Sequence, residues 1–206
     1  MKNKNTLLAF AIIFFVLLLD QSLKVWIKTT MYLGQEFNLL GNYVILHFTE
    51  NPGMAFGMEL GGNWGKPALT VFRFLAIVAL SYYLYKLIKT KASTLFIVCI
   101  SLIVSGAAGN LIDCAFYGMI FSDSMRQVAE AFPDGGGYAQ FLYGNVVDMF
   151  YCPVIRNSAG KVLFFKPVFN VADSAITVSV VIMILFYRRV FATPKQEKAD
   201  ESQDTA

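Results

Sequence analysis

Four aspartates hold most of the chemical potential of this chain. Asp20 stands one helical turn before Lys24, Asp113 follows Asn110, Asp173 follows Asn170, and Asp148 lies in a more polar connecting stretch, as does Asn51. Carboxylates gathered in a water-poor pocket cannot all ionise cheaply. Mutual repulsion and desolvation raise the pKa of one, leaving an acid beside a base, which suits general acid–base hydrolysis. The same residues equally describe a proton or cation path through a membrane. Nucleophilic catalysis has little to build on: His47 is the sole imidazole, so a Ser–His or Cys–His pair would have to form around it. His47 reads as an ordinary strand or loop residue.

The elements that must position these groups are apolar helices. The chain has 206 residues, is 56% hydrophobic and 15% charged, and has a mean hydropathy of +0.55. A soluble domain carries about a quarter charged residues, so the natural solvent here is a bilayer. Four stretches approach the ~20 apolar residues that a span requires: about 6–26, 67–87, 93–112 and 169–187. The first resembles a signal peptide, but no small-x-small site follows its apolar core, and it is read as retained. Lys2 and Lys4, the group Lys86, Lys89 and Lys91, and the group Arg188, Arg189, Lys195 and Lys198 flank the runs so as to fall on one side. By the excess of Lys and Arg in cytoplasmic flanks, both termini are cytoplasmic. The expected fold is membrane all-α: a four-transmembrane-helix bundle with a small extracytoplasmic β-sheet and flap. Residues 1–193 form a single domain, followed by a disordered tail over 194–206.

Two long connections then lie outside, 27–66 and 113–168. Residues 43–49 are rich in β-branched and aromatic types and read as a strand. Gly57, Gly61, Gly62 and Gly65 indicate a flap. Pro133-Asp134-Gly135-Gly136-Gly137 is a breaker, and a second strand is expected over 161–165.

With alternating helix directions, Asp20, Lys24, Arg73, Asn110, Asp113, Asn170 and Asp173 come to one depth near the outer ends of the helices. Asn51 and Asp148 join them from the outer loops. The inner halves carry almost nothing comparable, which argues against a continuous ion path. Structural roles also fit several of these residues. Asp20 and Lys24 share a helix face and suit an ion pair. Arg73 suits a snorkelling anchor or a carboxylate partner. Gly106-Ala107-Ala108-Gly109 offers small residues for close helix contact. Ser101, Ser105, Thr177 and Ser179 can bond within helices. A net charge of +3 without a basic, aromatic-interleaved stripe argues against nucleic acid. Three cysteines without CxxC spacing argue against a zinc site or a disulfide framework, leaving only Cys114 and Cys152 as a conceivable pair.

Five boxes, in order and covering nearly the whole chain, resemble the lipoprotein signal peptidases (signal peptidase II). They are Asp20-Gln21-x-x-Lys24, Asn51-Pro52-Gly53-Met54-Ala55-Phe56-Gly57, Gly106-Ala107-Ala108-Gly109-Asn110-Leu111-Ile112-Asp113, Val146-Val147-Asp148-Met149 and Phe169-Asn170-Val171-Ala172-Asp173-Ser174. The resemblance implies an aspartyl endopeptidase, without metal or organic cofactor, in the bacterial inner membrane with its site near the periplasmic face. Its substrates would be prolipoproteins cut just before a diacylglyceryl-modified cysteine, with membrane lipids around it and globomycin-type inhibitors blocking it. Asp148 and Asp173 would be the catalytic pair. Asn51, Gly53, Asn110, Asp113 and Asn170 would bind substrate, and Asp20, Lys24 and Arg73 would support the fold. A monomer is expected. The alternative is a small proton- or cation-coupled transporter using the same aspartates. Two features depart from the family's pattern. Cys114 stands where arginine usually follows the third box, so that either Arg73 or Lys24 takes over its role or the substrate contacts differ, and the stretch 114–145 is long.

Overall fold

The computed structural model describes residues 2–41, 43–52, 62–153, 155–156, 162–164 and 167–191. Helix α1 runs Lys2–Thr30, α2 Gly62–Lys89 and α3 Thr94–Ile112. The α3 axis continues through a π-helical turn, Asp113–Tyr117, into the short α4, Gly118–Ile120. Three helical stretches, Lys4–Thr30, Trp64–Lys89 and Thr94–Ile120, are long and apolar enough to cross a membrane. The last long helix, α5 (Val171–Leu185), is apolar but has only 15 residues, and α6 (Tyr187–Val190) follows it after one residue. At 1.5 Å per residue α5 alone covers roughly 22 Å. Many large apolar side chains on the helices stay exposed in the isolated chain, among them Phe10, Phe14, Phe72, Leu75 and Ile184. Lipid, not protein, is their partner in a multi-pass membrane protein.

Two boundaries differ from the sequence expectation. α1 continues to Thr30 rather than stopping near residue 26. α2 begins at Gly62, so Gly62 and Gly65 belong to a helix, not to a flap, and Pro67 lies inside it. A proline near a helix start removes one backbone donor without ending the helix. α3 starts as expected, because Ser93 Oγ accepts a hydrogen bond from Phe96 N at 3.1 Å and caps it. Gly53, Gly57 and Gly61, and the tail beyond residue 191, lie outside the described residues.

The expected small sheet is four-stranded and antiparallel, in the order β1-β2-β3-β6. β1 is Glu36–Leu40, β2 Val44–Asn51, β3 Val146–Tyr151 and β6 Val168–Phe169. β4 (Ile155–Arg156) and β5 (Val162–Phe164) form a separate hairpin, where the sequence predicts a strand over 161–165. The β2–β3 register pairs Thr49 with Asp148, Glu50 with Val147 and Asn51 with Val146. β3 pairs with β6, which ends one residue before Asn170. The sheet thus delivers Asn51, Asp148 and the start of α5 to one place. Beneath it lies an apolar core of Ile27, Met31, Leu46, Phe48, Tyr117, Phe121, Val147 and Met149. A second core, with Leu84, Leu87, Ile97, Ile100 and Val190, fills the opposite end of the bundle.

The long stretch after α3 turns back on itself. Phe121 bridges Ala131, and the returning chain bonds to carbonyls of the π-turn and of α4: Gly144 N to Cys114 O at 2.8 Å, Leu142 N to Ala115 O at 3.1 Å and Ala139 N to Gly118 O at 2.9 Å. Backbone polar groups near a bilayer must be satisfied within the protein, and this segment satisfies them. Gly144 permits the approach, since a Cβ there would sit 2.1 Å from Asp113 O.

Candidate active site

Asp148 projects from the middle of β3 and is buried, while Asp173 sits in the first turn of α5 and is partly exposed. Asn170 caps α5: its Oδ1 accepts from Asp173 N at 2.9 Å, and its own N–H donates to Asp173 Oδ2 at 3.3 Å. The side chain of the same asparagine donates to Asp148 Oδ1 at 2.7 Å and to Asn110 Oδ1 at 3.0 Å. Asn110, from the last turn of α3, donates to Asp173 Oδ1 at 2.9 Å. The two carboxylates are therefore the ends of one hydrogen-bonded chain, Asp148–Asn170–Asn110–Asp173, drawn from a strand, a helix cap and a helix end. Burial pushes the Asp148 carboxyl up to about 7, and the negative charge of Asp173 pushes it in the same direction; Lys24 and the Asn170 bond pull the other way. One carboxyl is thus set up to keep a proton near neutral pH, beside a second that is more open to water.

A buried cation holds this arrangement from below. Lys24 Nζ lies 2.9 Å from Asp20 Oδ2, 2.8 Å from Asp113 Oδ2 and 2.9 Å from Asn110 Oδ1, so all three of its protons have an acceptor. Asp20 Oδ1 accepts from Ala172 N at 2.9 Å, tying the cluster to the N-terminus of α5. Asp113 Oδ2 accepts from Val147 N at 3.2 Å, tying it to β3 next to Asp148. Gln21 Nε2 donates to Asp113 Oδ1 at 2.9 Å and Tyr117 OH to Gln21 Oε1 at 3.2 Å. The small residues of α3 make the packing possible: a Cβ on Gly109 would meet Asp20 Oδ2 at 2.5 Å, and one on Gly106 would meet Ala172 O at 2.4 Å.

Asp20, Lys24, Asn110, Asp113, Asn170, Asp148 and Asp173 thus gather as the sequence predicts. Asp113 takes a different part within the group. Expected to touch substrate, it has no exposed surface, and both its oxygens are engaged by Lys24, Gln21 and Val147. Arg73 Nη1 donates to Cys114 Sγ at 3.2 Å, while Lys24 is the cation between the carboxylates. Cys99, Cys114 and Cys152 are free thiols, so Cys114 and Cys152 do not pair. His47 lies within β2, bonded to Glu36 of β1. Among the described residues, no group of three His, Cys, Asp or Glu side chains could hold a metal ion.

Sequence reasoning missed a second buried network. Lys28 is wholly buried, paired with Glu50, and donates to Ser124 Oγ at 2.8 Å. Its ammonium lies 4.8 Å from the Tyr138 ring centre and 5.6 Å from that of Phe121. Glu50 Oε1 accepts from Ser124 Oγ at 3.0 Å, and Oε2 from Asn145 Nδ2 at 3.0 Å. One signal was available. Asp20, Lys24 and Lys28 recur every four residues, so the polar stripe of α1 runs one turn further than the first box. β3 was missed as well, although Val146 to Tyr151 meets the criterion that found β2.

A family model described as Signal peptidase (SPase) II matches residues 12–189. The chain belongs to the signal peptidase II family. It is a membrane peptidase of an aspartic peptidase family, and the transporter reading has no support. The lipoprotein signal peptidase of Porphyromonas gingivalis is 44% identical over 189 residues, covering 87% of this chain and 82% of the relative. That of Amoebophilus asiaticus is 35% identical over 208 residues, covering 95% and 84%. A bacterial membrane enzyme solved by the in meso method at 1.9 Å resolution superposes with a TM-score of 0.59 at 25% identity, covering 87% of this chain and 91% of that one.

Proposed function

We propose that this signal peptidase removes signal peptides from prolipoproteins with Asp148 and Asp173 as its catalytic pair. It would cut just before a diacylglyceryl-modified cysteine. The observation that carries the reading is the chain Asp148–Asn170–Asn110–Asp173, in which each carboxylate is oriented by an asparagine and the buried one is driven toward its neutral form by burial first and by the charge of the other second. Asp148 holds the proton and polarises the scissile carbonyl. Asp173 takes a proton from the attacking water. The tetrahedral intermediate collapses as a proton passes to the leaving amine. Asn110 and Asn170 hold both carboxylates in register. Asn51, paired with Val146 at the end of the β2–β3 ladder, and Gly53 two residues on contact the substrate backbone.

In this reading α5 completes a fourth crossing, residues 1–193 act as one domain, and both termini face the cytoplasm. The site lies near the periplasmic face of the inner membrane. The bilayer supplies alignment: the lipid on the cysteine stays among the acyl chains and fixes the cut at one depth. No cofactor enters the reaction, the enzyme acts as a monomer, and a globomycin-type cyclic peptide competes for the site.

The test is cleavage of a lipid-modified prolipoprotein by purified enzyme. Asp148→Asn and Asp173→Asn each lower kcat by about 10²- to 10⁴-fold while leaving a folded, inserted protein. Full activity in either variant rules the mechanism out. Globomycin blocks the wild-type band shift.

A further inference from the structure

Asn145 lies three residues before Asp148 and outside every box that marks the family, yet it joins several elements. Its Nδ2 donates to Glu50 Oε2 at 3.0 Å, at the end of β2. Its Oδ1 accepts from Lys66 Nζ at 2.6 Å, in the first turns of α2. Its backbone N–H donates to Tyr138 OH at 2.7 Å, in the returning segment after α4. Glu50 in turn holds Lys28 of α1 and Ser124.

The position of these bonds along the ladder gives them their consequence. The β2–β3 pairing ends at Asn51 opposite Val146. Asn145 is the next residue beyond that end, and its bond to Glu50 reaches back across it. Ladder ends open at the least cost in free energy, and this end carries both Asn51 and, two residues inside, Asp148. On the other side of β3, Val147 N is held by Asp113 Oδ2 at 3.2 Å. The start of β3 is therefore gripped from two directions, by Asp113 of the Lys24 cluster and by Asn145.

We propose that Asn145 is a positioning residue for peptide cleavage: by linking Glu50 to Lys66 it fixes the end of the β2–β3 ladder and with it the placement of Asp148 against substrate. This rests on the assignment of Asp148 to the catalytic pair. Misplacement of a reacting group costs rate far more than it costs binding, and a shift of about 1 Å can cost on the order of 10²-fold. The Asn145 contribution therefore belongs in kcat.

The experiment measures kcat and KM separately for Asn145→Ala, Lys66→Met and the double variant, with the unfolding midpoint of each and with Asp148→Asn in the same assay. Asn145→Ala lowers kcat roughly ten- to a hundredfold with KM within about twofold, at a temperature where the protein is fully folded. Lys66→Met lowers kcat less, and the double variant is no worse than Asn145→Ala because Asn145→Ala already removes the bond that Lys66→Met breaks. Unchanged kcat in folded Asn145→Ala, a loss confined to KM, or a loss that tracks the folded fraction overturns the proposal. If Asn145→Ala does not fold, Lys66→Met decides alone: undiminished kcat in the folded protein overturns the proposal, and lowered kcat at constant KM supports it. A dead Asp148→Asn beside a fully active Asn145→Ala rejects the positioning role only. An active Asp148→Asn rejects the aspartate mechanism itself.

Discussion

Lys24 and Lys28 stand one turn apart on the same face of α1, both without exposed surface, and the protein accommodates their charges in opposite ways. Lys24 is enclosed by two carboxylates and an amide oxygen, all within 2.9 Å. Its acceptors are themselves tied to backbone N–H groups of α5 and β3, the elements that bear Asp173 and Asp148. Lys28 has one carboxylate, one hydroxyl and the faces of Phe48, Phe121 and Tyr138. Its partners belong to β2 and to the long segment after α4. The first cluster ties the elements that bear Asp148 and Asp173 together from within the bundle; the second fastens the outer structure to the bundle. Burial of a lysine by itself predicts neither role. The elements on which the partners sit decide it.

Removing each cation is the sharpest way to break this comparison. Lys24→Met leaves Asp20 and Asp113 facing each other, buried and uncompensated. Breaking a buried pair in this way costs about 3–5 kcal/mol, enough to consume much of a typical fold's stability. The expected result is a large drop in accumulated protein and in the unfolding midpoint. An abundant, stable but inactive Lys24→Met would instead place Lys24 in the chemistry. Lys28→Met costs less, about 1–3 kcal/mol. Glu50 keeps its bonds from Ser124 and Asn145, and its side chain retains 10% exposure through which water can reach it. Equal losses in the two variants would dissolve the distinction between the clusters.

The same contrast explains what the sequence made legible. Asp20, Lys24, Asn110, Asp113, Asn170 and Asp173 lie on or beside long apolar runs, where any ionisable side chain stands out, so their convergence could be read without coordinates. Lys28, Glu50, Ser124 and Asn145 lie in stretches of ordinary polarity, where a charged residue is expected to be solvated. Apart from the four-residue spacing of Lys28 from Lys24, nothing local marks them as partners. Glu50 and Asn145 are 95 positions apart, and only the β2–β3 register brings them together. Asp113 shows the opposite failure. Its type and place were legible, but its direction was not, because the π-turn that begins at Asp113 leaves no periodicity signal in an apolar run. The long segment after α3 was visible as an insertion. That its backbone completes the hydrogen bonding of the π-turn was not, since such bonds carry no side-chain signature.

The smallest expected effect tests whether the clusters differ electrostatically as well as mechanically. Asp148 is raised to about 7, first by burial and then by Asp173, and Lys24 is among the groups that oppose the rise. If cleavage needs the proton on Asp148, activity falls on the alkaline side as pH climbs through about 7 and the proton leaves. Removing the Lys24 charge takes away a group that favours the ionised form. In Lys24→Met the alkaline limb therefore moves to higher pH, measured on whatever folded enzyme survives in membranes and normalised to its amount. Lys28 is not among the leading groups that shift Asp148, and its charge is matched by Glu50 at short range. Lys28→Met should accordingly leave the limb in place while lowering stability. A limb that moves by the same amount in both variants would mean that the two cations act on the aspartates as one field. A wild-type profile flat through neutrality would mean that the proton on Asp148 is not the one that catalysis uses.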